Sequence, residues 1–187
     1  MSCSASYTSR GAESEMNGYE IIKANVNFTN PDRIGLRFDR IAGKGDVYRI
    51  FVLPPKDKRE PNRTYSVKKK VRPLNGQYDE WGCLWESNDE SGADMGQVAN
   101  TPISDLGMID DYPFPDPKSE GRFDGLEEAL DEAEAKGLYV QLNSPQCIFE
   151  RMHFLHGFEN TLVNCMVEPE AIYKLAGKLA DFQIGII

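Results

Sequence analysis

From Asp124 onward the chain alternates helix, strand and helix with connections of only a few residues, and that grammar admits few folds. Asp124 stands where it can N-cap a helix, with Glu127 at capping-box spacing three positions on. Leu126, Ala129, Leu130 and Ala133 form its apolar stripe, and Gly137 supplies the stop. Leu138–Leu142 then reads as a buried strand. Ser144-Pro145 opens a second helix, with Pro at the first helical position, where its missing N–H costs nothing. Its stripe is Ile148, Phe149, Met152 and Leu155, and Gly157 ends it. A shorter helix is expected over Glu159–Met166. Pro169 starts the last one, with the stripe Ile172, Leu175, Leu179, Phe182 and Ile186. Helices flanking a strand with short loops predict an α/β fold built on a parallel sheet.

The first two thirds are less regular. Residues 1–17 are rich in Ser, Gly and Glu without periodicity and read as a flexible tail, leaving 18–187 as the domain. After Tyr19–Ile22, the turn Asn30–Arg33 leads into the short run Ile34–Phe38. Tyr48–Leu53 is a strand signal of aromatic and branched residues, stopped by Pro54-Pro55. Thr64–Glu86 reads as a β-hairpin: Tyr65, Val67 and Val71 alternate with lysines, Asn75-Gly76 supplies the turn, and Tyr78–Trp85 returns with aromatics. Residues 87–121 are too long for an ordinary connection, so an ordered surface excursion or functional loop is expected.

Charge and cysteines narrow the function. With 30 Asp+Glu against 21 Lys+Arg over 187 residues, the formal net charge is -9. Generic nucleic-acid binding is disfavoured, because neutralising phosphates takes surplus Lys and Arg. No apolar stretch approaches the ~20 residues of a membrane span, and the first residues lack the apolar core of a secretory signal. Cys3, Cys83, Cys147 and Cys165 are scattered without a C-x-x-C pair, which suits reduced thiols in a cytoplasmic protein. The last helix runs to Gln183–Ile187 with apolar residues still in place. The expectation is a fold that stops part-way, with an apolar end at 182–187 seeking a partner.

Four stretches, in order, carry a family resemblance. Pro31-Asp32-Arg33-Ile34 is similar to a "PDR-(I/V)" opening, and Asp79-Glu80-Trp81-Gly82-Cys83-Leu84-Trp85 to a D-x-W-G segment. Tyr112-Pro113-Phe114-Pro115-Asp116-Pro117 is similar to "Y-x-x-P-D-P". Gly157-Phe158-Glu159-Asn160-Thr161-Leu162, followed by Glu168-Pro169-Glu170, is similar to "G-x-E-N-x-L … E-P-E". Together, over residues 22–187, they resemble the uroporphyrinogen decarboxylase superfamily, which also contains cobamide-dependent methyltransferases. The resemblance implies a (β/α)8 barrel, a fold of ~250 residues, so this chain is expected to be its incomplete N-terminal part, with the hairpin and long loop as excursions.

The resemblance also implies chemistry. The family decarboxylates a carboxylated tetrapyrrole in porphyrin biosynthesis without cofactor or metal. Asp79 matches the carboxylate that holds the pyrrole N–H groups and stabilises a developing pyrrolium cation. Arg40-Ile41-Ala42-Gly43-Lys44 matches the carboxylate-binding R-Q-A-G-R stretch, with Ile for Gln and Lys for the second Arg. Arg40 and Lys44 keep the charge spacing, but Lys is a point charge without the bidentate fork of Arg. The methyltransferase branch implies zinc, held by later His and Cys residues, and a corrinoid. A third reading is an inactive fragment or interaction subunit, completed as a homo-oligomer or by another chain.

Each site residue has a plainer reading beside it. Asp79 as a hairpin-edge acid would be solvated or paired with a cross-strand lysine. Arg40 and Lys44 would lie on a solvated loop. The run Lys56–Arg72 holds eight of the 21 cations; it is conceivable as a nucleic-acid or phosphate surface, yet Lys68-Lys69-Lys70 on a hairpin is the usual protection of an edge strand, which is the favoured reading. His153 and His156, with Cys147 nearby, lack further ligands converging on them and border the apolar stripe. Trp81 and Trp85, four apart in a strand, would share a packed face. No nucleotide-binding, hydrolase-elbow or zinc-protease motif is present.

Overall fold

A capping box at Asn17 and Glu20 starts the first helix, in a region where the sequence grammar is weakest. Asn17 Oδ1 accepts the Glu20 N–H at 3.0 Å, and a Glu20 oxygen accepts the Asn17 N–H at 2.9 Å. The computed structural model describes residues 16–38, 45–72, 74–87, 96–144 and 148–187. Of the expected tail only Met16 and Asn17 fall among these, and Arg40, Lys44, Pro145, Cys3 and Cys147 all lie outside them.

The architecture is mixed α/β, with five α-helices and two small sheets among the described residues. Strand β1 (Val47–Phe51) pairs with β5 (Tyr139–Asn143) in parallel, as the helix–strand grammar requires. Strands β2 (Gln77–Tyr78), β3 (Leu84–Glu86) and β4 (Gln97–Val98) form an antiparallel sheet. The described residues contain no closed barrel. β5 is also less buried than its apolar sequence suggests, with Leu142 40% exposed.

The chain divides into two compact units, Met1–Tyr48 with Leu130–Gln141, and Arg49–Ala129 with Leu142–Ile187. In the first, helix α1 (Gly18–Asn27) buries Ile21 and Ala24 and ends at Phe28 in the left-handed region, φ 55°. The Tyr19 N–H donates to the Gly137 carbonyl at 2.8 Å. Asp46 is the polar centre of this unit. Both terminal nitrogens of Arg33 donate to it, at 2.7 and 2.8 Å, and so does the Leu36 N–H at 2.7 Å. A guanidinium fork on a buried carboxylate fixes the segment 33–36 in place of any strand at Ile34–Phe38.

Helix α2 (Leu126–Ala135) begins near its expected position and buries Ala129 and Ala133, and in the second unit Asp124 pairs with Arg59 at 2.9 Å. Helices α3 (Ile148–His156), α4 (Phe158–Val167) and α5 (Pro169–Ile186) follow with minimal connections. All five stripe residues of α5 are buried, so of the apolar end expected at 182–187 Phe182 and Ile186 belong to the core, while Ile184 and Ile187 are exposed. Phe182 meets Trp81 edge-on at 4.7 Å, and Trp85 meets Phe154 at 5.0 Å. The α3 stripe holds only at Met152 and Leu155; Ile148 and Phe149 are exposed.

The excursion after residue 87 is ordered where described, because it contributes to this core. Ile103, Leu106 and Ile109 are buried, the last two on a 3-10 helix over Leu106–Asp110. The Ile103 N–H donates to the Leu155 carbonyl at 2.8 Å, and the Ile103 carbonyl meets His156 Nδ1 at 2.7 Å. A Cβ at Gly185 would collide with the ring of Pro117, so α5 approaches the excursion at a glycine.

Two outcomes follow. Leu175→Ala should lose about 3 kcal/mol in urea unfolding, by transfer and cavity terms, whereas Tyr173→Ala on the exposed face of the same helix should lose under about 0.5 kcal/mol. The Arg33 pair holds the Asp46 carboxyl below its ordinary 3.8. A depressed carboxyl gives stability that is present above the unfolded value and lost as pH falls through the folded one. Arg33→Ala should therefore shrink the stability difference between about pH 6 and about pH 2.5; an unchanged difference would remove Asp46 as the acid-sensitive group.

Candidate functional site

The turn between β2 and β3 is written by one side chain. Asp79 Oδ1 accepts the N–H groups of Trp81 at 2.9 Å and Cys83 at 3.0 Å, folding the chain back within four residues. The Gly82 N–H closes the turn on the Asp79 carbonyl at 3.1 Å, with Gly82 at φ 73°. This local chemistry moves the hairpin from the expected arms to Gln77–Tyr78 and Leu84–Glu86, with Gln77 opposite Trp85. Asn75-Gly76 does turn, at φ 74° for Gly76, but it leads into β2 rather than joining two strands.

The other carboxylate oxygen faces the core. Asp79 Oδ2 accepts from Trp85 Nε1 at 3.0 Å and from Arg151 Nη1 at 2.9 Å. All four acceptor positions of the carboxylate are thus engaged. Its partner is a buried arginine of α3, not a cross-strand lysine, and Arg151 stacks on Trp81 at 4.7 Å. Side-chain exposures of 7% and 10% make this a largely desolvated pair, whose separation would leave an uncompensated charge inside.

Glu80 and Arg122 form a second buried pair beside it. Arg122 is 1% exposed and grips both Glu80 oxygens, at 3.2 and 2.5 Å, while its Nε donates to the Asp116 carbonyl at 2.8 Å. The Y-x-x-P-D-P segment is thereby tied to the D-x-W-G turn, and the Tyr112 hydroxyl donates to the Trp81 carbonyl. Cys83 lies against this network with its Sγ 3.8 Å from Arg151 Nη1. Burial first, and the Asp79 charge second, push its thiol up to about 12. A buried thiol held protonated in this way is a poor thiolate nucleophile near neutral pH.

The basic run Lys56–Arg72 is not an edge strand. Val67 is 1% exposed, and its carbonyl accepts the Phe51 N–H at 2.7 Å, which pins the middle of the segment to the core. Ser66 makes a turn there, accepting the Lys69 N–H on its carbonyl. Arg63 Nη2 donates to the Arg72 carbonyl at 2.6 Å, closing the ends into a loop. The guanidiniums of Arg59 and Arg63 lie 5.4 and 5.6 Å from the Tyr65 ring.

A cavity of about 110 Å³ lies between this loop and the D-x-W-G turn. Trp81, Trp85, Asp79 and Arg151 line it on one side, and Lys58, Arg63, Lys70 and Arg72 on the other. Of the expected site residues, Asp79 lines this cavity, and Arg40 and Lys44 lie outside the described residues. Trp81 and Trp85 are both buried, as expected, although only Trp85 is in a strand.

His156 is a core residue. Its Nδ1 faces the Ile103 carbonyl and its Nε2 the Asn164 amide at 2.9 Å, which sets the tautomer with hydrogen on Nδ1. His153 stacks edge-on to Phe154 at 4.4 Å. Among the described residues no group of His, Cys, Asp and Glu is placed to hold a metal ion. Arg151 is the residue that sequence reasoning missed. The basic run was visible as a charge excess, but its convergence on Asp79 depends on packing across the unit.

No family model, curated protein or solved structure matches this chain. The exposed Cys165 and the buried Cys83 should separate in alkylation. Iodoacetamide on the native chain at about pH 8 should label Cys165 and spare Cys83 in peptide mass mapping; labelling of Cys83 at a comparable rate would contradict its burial.

Proposed function

We propose that residues 18–187 are the N-terminal part of a uroporphyrinogen decarboxylase-like (β/α)8 barrel. On this reading the chain binds a carboxylated tetrapyrrole, breaks the C–C bond to a carboxylate to release CO2, and a proton from solvent takes its place on carbon, without a cofactor. The observation that carries it is the position of Asp79 in the D-x-W-G turn, lining a cavity that also presents cations. An acidic residue to hold pyrrole N–H groups and cations to hold carboxylates are the two things such a substrate needs. Asp79 would act by exchanging its bond from Trp85 or Arg151 for pyrrole N–H donors, so that a developing pyrrolium cation meets a carboxylate already oriented by two backbone N–H groups. Arg40 and Lys44 are the proposed carboxylate contacts from the matching R-Q-A-G-R stretch. A cavity of about 110 Å³ holds one acidic arm, not a macrocycle, so the ring would lie at its mouth.

The test is CO2 release from uroporphyrinogen by the purified chain, with Asp79→Asn, which keeps acceptor capacity on one oxygen. Release per folded molecule should fall by at least about a hundredfold in the variant, with the folded fraction read by circular dichroism, because the change also leaves Arg151 without its charged partner. Absence of both release and tetrapyrrole binding in the parent chain would sink the reading.

A further inference from the structure

Most of the cations in the cavity wall have no carboxylate that neutralises them. Five positive side chains line the cavity: Lys58, Arg63, Lys70, Arg72 and Arg151. Three acidic ones line it too: Glu60, Asp79 and Glu80. Asp79 is spoken for by Arg151 at 2.9 Å, and Glu80 by Arg122, which is not part of the lining, at 2.5 Å. Four loop cations therefore face Glu60 alone. Among the described residues, no carboxylate lies within ion-pair distance of Arg63, Lys70 or Arg72, and Lys58 has only an exposed Asp57 at 3.5 Å. Like charges gathered on one short loop repel, and a chain of net charge -9 has acids in surplus with which to neutralise them.

The loop is nonetheless held in this shape. Val67 is its apolar anchor, the Arg63 bond to the Arg72 carbonyl closes it, and Tyr65 packs beside Arg59 and Arg63. The Tyr65 hydroxyl accepts the Glu60 N–H at 3.0 Å. The cations are thus presented by a folded scaffold, over an aromatic floor of Trp81 and Trp85 that lowers the local dielectric and strengthens any charge contact made there.

We propose that the loop Lys58–Arg72 is the wall of a binding site for a small oxyanion of charge two or more, contacted by Lys70 and Arg72 at the rim and by Arg63 deeper in. The shared chemistry is a di- or tricarboxylate or a phosphate group. The cavity, about 110 Å³, matches one such group and not a nucleic-acid strand, which would need an extended basic track. The site is the same cavity that the decarboxylase reading gives to one acidic arm of its substrate, but it uses a different stretch of chain from Arg40 and Lys44 and stands without that reading, since any reaction or none can follow the binding.

The chain contains two tryptophans and both line the cavity, so intrinsic fluorescence reports directly on its occupancy. Citrate and inorganic phosphate are the probes, with acetate as the monovalent control. Saturable quenching is expected for at least one of the two, at least about tenfold tighter than for acetate, and weakening as salt rises. The tighter probe identifies a carboxylate or a phosphate as the natural group. Lys70→Glu with Arg72→Glu, both on exposed positions, should weaken that binding at least about tenfold, while leaving the far-ultraviolet spectrum and the urea midpoint in place. Lys174→Glu, remote in sequence on α5, should leave it unchanged.

Quenching that the double variant does not alter would overturn the proposal. So would an absence of saturable binding for both probes. Tighter binding of a single-stranded oligonucleotide than of either small anion would overturn it in favour of a nucleic-acid surface.

Discussion

One carboxylate organises the second unit. Asp79 accepts two backbone N–H groups on one oxygen, and an indole and a guanidinium on the other. The first pair makes the hairpin turn, and the second orients Trp85 and Arg151 within the core. Arg151 then lies over Trp81, Trp81 meets Phe182, and Trp85 meets Phe154, so α3 and α5 are positioned from one acidic side chain. A buried carboxylate is tolerable only when its lone pairs are filled. Here the filling is also what ties a tight turn to two helices.

That arrangement gives Asp79 two demands that compete. As a structural acceptor it is saturated; as a functional carboxylate it needs an oxygen free for a ligand. The competition is resolvable at Oδ2, because its donors are side chains, which can move, whereas those at Oδ1 are backbone groups of the turn itself. Glu80 has less latitude, gripped through both oxygens by an arginine that also donates to a backbone carbonyl. Adjacent acids in the D-x-W-G segment thus differ in how much freedom their partners leave them.

The elements legible in the sequence were those whose signal is periodic. The α5 stripe, the α3–Gly157–α4 punctuation and the β1 run ending at Pro54-Pro55 follow from spacing alone. The elements misread were those set by one side chain bonding to nearby backbone. Tyr65, Val67 and Val71 alternate with lysines as a strand would, yet Val67 is an anchor for a loop closed by Arg63. Asn17 and Glu20 carry the same capping box expected at Asp124 and Glu127, and there it does start a helix. The site was half visible: the Asp79 segment stood out by motif, but the partner 72 positions away, Arg151, is brought to it only by packing.

The pairing of Trp81 with Phe182 has a bearing on how the protein is made. The two rings are 101 positions apart, from 81 to 182, and their edge-on contact backs the floor of the cavity. A ribosome delivers the D-x-W-G turn and the basic loop long before α5, so during synthesis those aromatic residues have no partner helix to cover them. Contacts of such sequence separation form late and slowly, and until then the indoles are exposed surface of the kind that chaperones recognise. The aromatic floor of the cavity therefore gains its Phe182 backing only once α5 has been made, although most of the residues that line the cavity are synthesised well before it.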